Sequence, residues 1–432
     1  MATPVILANI SQTLMGLVDT LMVGRLGAES LAAVGVATLL FSALAMSLKH
    51  ADVAAQTITA RRVGEGRDRE VGAVLTTALT VSFAVGTLLM LVGLLWPHAL
   101  MSLVSQDGEV RHLGEQYLRY RYAGMLPLLA FFMTKAVFDG IGWTRIGMFV
   151  GIGMNVVNVG LNWVFIFGRF GFPAMGVGGA ALASTVAAAL AAVVILALIL
   201  RPAVRERFGI LTGSHFQKRL IRPFVDLGWP PAVQTLGNVV ALLAFFFILG
   251  RVSTLAVATG NVVLRIAALS FMPGVGVSVA LQTLVGQSLG RDDPKGARRS
   301  IYVGVALAVV VMGLFGGVFL AWPGSLMRLF SSSEDLIRAG MPILRVMGLV
   351  QVIDAVGLAL SGAMRGAGAT RPVMMVDILT GFVMLPPLTW LFSLTLGGGL
   401  LGAWWALLTW FTLYAVGMVV IFLRNDWEGI KV

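Results

Sequence analysis

The stretch Gly140-Ile141-Gly142-Trp143-Thr144-Arg145 returns 226 positions later as Gly366-Ala367-Gly368-Ala369-Thr370-Arg371. The same shift pairs Trp96-Pro97 with Trp322-Pro323, Gly24-Arg25 with Gly250-Arg251 and Gln56-Thr57 with Gln282-Thr283. It also pairs Pro4 with Pro230, Met46 with Met272, Gly64 with Gly290 and Gly176 with Gly402. Trp-Pro and Thr-Arg are uncommon dipeptides, so their agreement at one fixed offset marks an internal duplication, not coincidence among glycines.

Each copy reads as a membrane domain. The chain has 432 residues, 58% of them hydrophobic and 12% charged, which is more apolar than a soluble chain of this length needs. Apolar spans are predicted at 4–23, 31–59, 71–95, 115–138, 146–167, 177–200, 227–249, 257–285, 300–321, 341–364, 373–394 and 400–423. Each is long enough to cross a hydrocarbon core of about 30 Å. The expected fold is an all-α polytopic membrane protein of about twelve transmembrane helices in two six-helix lobes. The first lobe is residues 1–200, a cytoplasmic linker covers 201–222, and the second lobe is 223–432. An even number of spans per copy brings both lobes in from the same side, which implies a pseudo-two-fold axis along the membrane normal. Lobes so related can rock about a central cleft, one route to alternating access.

The net charge of +11 is dispersed over the loops and forms no contiguous basic face, which argues against nucleic acid as a partner. Positive-inside bias explains it: roughly nineteen Lys and Arg fall on one side and roughly nine on the other. The richer segments hold Arg61, Arg62, Arg67, Arg69, the run from Arg201 to Arg222, and Arg291 to Arg299. Both termini are therefore expected in the cytoplasm, and the protein in a bacterial or archaeal inner (plasma) membrane. The first span has no basic stretch before it and is interrupted by Asn9, Gln12 and Asp19, so it reads as a mature helix and not a signal peptide. It starts almost at the membrane, leaving room for a short leader ahead of it. The absence of cysteine excludes disulfides and thiolate chemistry, and His50, His98, His112 and His215 make no spaced ligand cluster. Gly64-Glu65-Gly66 and Gly366-Ala367-Gly368 lack the lysine and strand of a nucleotide loop. No catalytic constellation is visible, so neither enzyme chemistry nor a cofactor is expected.

The run Val18-Asp19-Thr20, Gly24-Arg25-Leu26-Gly27, Gln56-Thr57 and Arg61-Arg62-Val63-Gly64-Glu65-Gly66 resembles the N-terminal lobe of the multidrug and toxic compound extrusion (MATE) transporters. The second copy is clearer, with Ser270-Phe271-Met272-Pro273-Gly274, Val285-Gly286-Gln287-Ser288-Leu289-Gly290, Ser361-Gly362, and Arg365-Gly366-Ala367-Gly368 before Thr370. The likeness covers essentially the whole chain. It implies export of amphipathic, often cationic organic molecules in exchange for H⁺ or Na⁺. Small organic cargo and membrane lipid are then the expected partners, and a monomer the expected state.

Charged side chains at bilayer depth persist mainly where they face an interior cavity, and they point to the coupling chemistry. Asp19 is the leading candidate, because a carboxylate in a low-dielectric cleft can alternate between protonated and cation-bearing forms. Asn155, Asn158 and Asn162 share one face of the fifth span at i, i+3 and i+7, as interhelical glue or as hard oxygen donors. The resemblance implies an N-lobe cation site in which Asp19 matches the acid of the first helix and Asn158 the asparagine of the fifth. Asn162 stands where the family has a second acid. That loss of charge, and Lys135 in the fourth span, favour H⁺ over Na⁺, with Lys135 either pairing with Asp19 or snorkelling to the headgroups. Thr185 in the sixth span offers a further oxygen or bonds its own backbone.

Lys49 and Asp52, three apart, can pair on one helix face, with His50 between them as a possible proton relay. Nothing in the family pattern corresponds to this cluster. In the second lobe Asn238 and Ala369 stand where other branches have acids, so that acidic pair is lost. Asp354 resembles an acid of the tenth helix and is a candidate second titrating group, which Arg265 could counter. Asp139, at a helix end, and Asp377 complete the set. Pro273, Pro323 and Pro386-Pro387 allow bent helices whose freed carbonyls can face a cavity. The 21 Met and 24 Phe would suit an adaptable apolar pocket or simply contact lipid. A flippase for lipid-linked oligosaccharide is the alternative function. It would favour a strongly basic cleft for pyrophosphate and often extra spans, against which twelve spans and mixed charges argue.

Overall fold

A computed structural model describes residues 2–211, 216–424 and 426–432; His215 and the middle of the 201–222 segment lie outside them. Among the described residues the chain is helical with no strand. Among these residues eleven helices are long and apolar enough to cross a membrane, and a bent pair makes a twelfth span.

The chain divides into two compact units, Leu7–Ala232 and Val233–Val432, the latter grouped with Met1–Ile6. In the first, α1 (Ala2–Gly24), α2 (Ala28–Lys49) with α3 (Asp52–Gly64), α4 (Val71–Leu95), α6 (Gly108–Ala123) with α7 (Met125–Ile141), α8 (Thr144–Phe167) and α9 (Gly176–Ile199) give six spans. The short α5 (Pro97–Ser102) and α10 (Pro202–Phe208) join them. The second has α11 (Lys218–Val252), α12 (Thr254–Gly290), α13 (Pro294–Ala321), α15 (Glu334–Ala367), a span from Thr370 to Thr395, and α18 (Gly399–Arg424). Its short α14 (Pro323–Arg328) precedes α15.

The repeated residues are those that shape backbone. Gly142 and Gly368 end α7 and α15 in the left-handed region, at φ of 99° and 95°, where a side chain would cost about 1–2 kcal/mol. The next residues close matching caps: Trp143 N donates to Phe138 O and Ala369 N to Met364 O, both at 2.8 Å. Trp96 and Trp322 leave their helices at near-identical dihedrals (φ −125° and −126°), and the prolines after them occupy the first turn of α5 and α14, where no N–H is missed. Gly140 and Gly366 permit close helix crossing. A Cβ at Gly140 would lie 2.7 Å from the Gln56 carbonyl oxygen, and at Gly366 2.2 Å from that of Gln282.

The first unit's apolar core gathers Val23, Phe41, Leu118, Tyr122, Met125 and Leu129, while Leu88, Val156 and Val193 stay exposed where the span would meet lipid. The second unit buries Phe245, Trp404 and Met347 in one cluster and Val285, Ala363 and Met418 in another.

Three spans are less regular than their hydropathy predicts. The 31–59 span breaks between Lys49 and Asp52, where each charge matches the dipole of its own helix end. The 115–138 span bends by 47° between α6 and α7, at Gly124. The 373–394 span passes from α16 (Thr370–Asp377) into a π-helical stretch, Ile378–Met384, then α17 (Leu385–Trp390), then a second π turn, Leu391–Thr395. Pro386-Pro387 removes two donors from the hydrogen-bond ladder there, and the wider turns accommodate the loss. Pro273, in contrast, lies within the continuous α12, and Pro323 starts a helix where a bend was expected.

Candidate functional site

In the first unit, α1 brings Asp19 against α8. Asn162 Nδ2 donates to Asp19 Oδ1 at 2.5 Å, although 143 residues separate the two. One turn earlier on α8, the Asn158 amide lies 3.0 Å from the same oxygen and 3.1 Å from Ser184 Oγ on α9. With its nitrogen toward the carboxylate and its oxygen toward the serine, both contacts are hydrogen bonds. The i, i+4 spacing places both amides on one face, and Asn158 and Asn162 are almost fully buried. Asn155, a turn further from Asp19, donates instead to Ser11 Oγ at 2.9 Å. Each asparagine of the stripe thus engages a neighbouring helix.

Two residues the sequence does not single out belong to this centre. Ser184, not Thr185, meets Asn158; Thr185 donates to the Tyr120 carbonyl at 2.7 Å and so ties α9 to the end of α6. Arg121, on α6, is the cation whose charge acts on Asp19, with its guanidinium 4.3 Å above the Phe41 ring. An arginine near a span end reads in sequence as a headgroup anchor, which hides this role.

Lys135 does not pair with Asp19. Its Nζ donates to Asp139 Oδ2 at 2.6 Å, the i+4 partner on its own helix, so neither the Asp19 pairing nor free snorkelling describes it. Lys49 lies 3.9 Å from Asp52 across the helix break and 4.8 Å from the centre of the Phe132 ring. The His50 carbonyl, within the break, accepts from Val53 N at 3.2 Å. Lys49, Asp52, Lys135 and Asn155 line one small cavity of about 60 Å³.

In the second unit Asp354, on α15, and Asp377, at the end of α16, are both buried and close enough for their charges to interact. Gln234 and Asn238 on α11 lie close enough to act on the Asp377 carboxyl, and Gln234 Oε1 accepts from Arg365 at 2.8 Å. The lost acid at position 238 is therefore met by Asp377 from a different helix. Arg365 is the cation of this cluster, whereas Arg265, expected to counter Asp354, is exposed on α12. Among the described residues no group of three or more acidic or histidine side chains could hold a metal ion.

Comparison with known proteins agrees with this architecture. The MatE family model matches residues 4–164 and again 230–391, blocks whose starting positions are the Pro4 and Pro230 of the repeat. A probable multidrug resistance protein NorM from Thermotoga maritima is 27% identical over 99% of this chain and 92% of its own length. A relative of the same name from Mesorhizobium japonicum is 28% identical over 99% and 93%. Among solved structures, an outward-facing multidrug resistance MATE transporter superposes with a TM-score of 0.92 at 21% identity, covering 100% of this chain and 96% of that one. A MOP superfamily transporter from Pyrococcus furiosus gives 0.90 at 20% identity with the same coverage. These likenesses establish the two-lobe fold of twelve helices. With both halves of the chain matched, the protein belongs to the MatE family of membrane transporters.

Proposed function

We propose that the protein is a secondary active antiporter that exports amphipathic or cationic organic compounds in exchange for H⁺, with Asp19 as the group that takes up and releases the ion. The observation that carries this reading is the Asp19 carboxylate held by the Asn158 and Asn162 amides. A Na⁺ site needs several oxygens around the cation, whereas here the only carboxylate of the centre is Asp19 and both amides turn an N–H toward its Oδ1. A proton suits the arrangement better. An amide donates to the ionised carboxylate and, turned over, accepts from the protonated one, so the same shell satisfies both states. Uptake of H⁺ removes the charge on which Arg121 acts and turns the amides over, which gives the lobe two arrangements to alternate between. The relatives' designation as multidrug resistance proteins supports an organic cargo. The membrane is the inner membrane of a prokaryote, with both termini cytoplasmic and the protein acting as a monomer.

The test is Asp19→Asn in proteoliposomes. Cargo efflux driven by a pure pH gradient should fall to background while the protein remains inserted. Undiminished efflux refutes the assignment, and efflux by the unaltered protein under a pure Na⁺ gradient alone refutes H⁺ as the coupling ion.

A further inference from the structure

The short helices α5 and α14 take no part in the ion chemistry, yet the duplication keeps them in matching form. Each follows a long span, α4 or α13, at the end away from the basic loop that precedes that span. In each, the first proline and the methionine four residues on are buried, Pro97 with Met101 and Pro323 with Met327. The methionine seats the short helix on the helix that follows. A Cβ at Gly114 of α6 would lie 2.2 Å from Met101 Cε, and one at Gly340 of α15 would lie 2.1 Å from Met327 Cε. Only glycine leaves room for the thioether, so this contact fixes how each short helix is turned about its own axis.

That orientation points large apolar side chains outward. Trp96 and Trp322 are 56% and 61% exposed, Leu103 and Leu329 78% and 76%, with Val104 and Phe330 exposed beside them. A patch of this kind marks an interaction surface. It continues the lipid-facing side of the preceding span, through Leu88 and Leu95 on α4 and Leu314 and Leu320 on α13. Just beyond it the chain turns polar, and Asp107 and Ser333 cap the next helices through Val110 N and Leu336 N. Tryptophan favours such a border, where its ring meets acyl chains and its N–H meets headgroups. A docking protein would need one patch; the same chemistry in both lobes fits a partner that surrounds both, the bilayer itself. We propose that α5 and α14 are interfacial anchors, which insert Trp96, Leu103, Trp322 and Leu329 beneath the lipid headgroups and hold each lobe at a set depth. Anchoring of this kind depends on neither the cargo nor the coupling ion.

The chain has no cysteine, so single spin labels can be attached at Leu103→Cys, at Leu329→Cys and, as an aqueous reference, at Glu109→Cys. All three side chains are exposed, which leaves the packing intact. In phosphatidylcholine vesicles, collision rates with dissolved oxygen and with a water-soluble nickel chelate give the depth of each label. The Leu103 and Leu329 labels should lie about 5–10 Å below the phosphates, accessible to oxygen and shielded from nickel. That depth should stay the same in thin and thick bilayers. Nickel access equal to that at Glu109, in either copy, overturns the proposal. Shielding from both reagents overturns it too, since it would mark a protein contact, and a depth that follows bilayer thickness would leave passive contact in place of anchoring.

Discussion

Asn162→Asp should convert the N-lobe centre from a proton site toward a Na⁺ site. The change is nearly isosteric and places a second carboxylate where an amide now lies 2.5 Å from Asp19 Oδ1. Two like charges about 4 Å apart repel by about 4 kcal/mol at an effective dielectric of about 20, so they cannot both remain ionised with nothing between them. That repulsion corresponds to a factor of about a thousand in favour of a bound cation or a shared proton. At acidic pH the shared proton should lock the pair and slow efflux. At alkaline pH, where protons are scarce, Na⁺ should fill the gap, with the Asn158 carbonyl as a further oxygen ligand once its amide turns. The assay is efflux from proteoliposomes under opposed Na⁺ and pH gradients, with ²²Na⁺ binding measured in parallel. A variant that binds no Na⁺ and keeps the pH dependence of the unaltered protein would refute the claim that Asn162 decides the ion.

Other residues give sharper structural tests. Gly366→Ala would push a methyl to 2.2 Å from the Gln282 carbonyl oxygen, and Gly140→Ala to 2.7 Å from that of Gln56. Overpacking of this kind costs about 1–3 kcal/mol, so both should lower the thermal midpoint in detergent, Gly366→Ala by more. Lys135→Met strips the ammonium from Asp139, whose side chain is only 3% exposed. Breaking a buried pair costs about 3–5 kcal/mol, and the double variant Lys135→Met/Asp139→Leu should recover most of the loss in the same melting assay. Asp354→Asn should lower the proton-to-cargo ratio in pH-stat counting without abolishing export, if the second lobe holds its own titrating group beside Asp377.

What was legible in the sequence was whatever a single residue does to its own backbone or to lipid. The spans follow from apolar length, and the repeat from positions such as Gly142, Gly368, Pro97 and Pro323, whose demand on φ is local and hence the same in both copies. The helix breaks were less visible. Hydropathy averages over Lys49-His50 and Gly124, so the break and the 47° bend there register only in three dimensions. Polar partners were the least visible, because a partner is chosen across helices. Nothing near Ser184 or Arg121 in sequence announces Asp19, and nothing near Asp377 announces Gln234 and Asn238.

The two halves diverge for the same reason that their backbones agree. A duplicated fold must repeat its crossing points, so Gly140 on Gln56 and Gly366 on Gln282 recur together. A polar group in a span is constrained differently: it needs a partner, and any neighbouring helix can provide one. The paired positions Asp139 and Arg365 illustrate this. Opposite in charge, they sit one residue before the matched crossing glycines, and each is satisfied within its own lobe, Asp139 by Lys135 and Arg365 by Gln234. Backbone constraint therefore preserved the frame, while charge could drift as long as each lobe kept its own partners. That freedom is what allows one lobe to place a carboxylate among amides at Asp19 and the other to gather two carboxylates at Asp354 and Asp377 on the same scaffold.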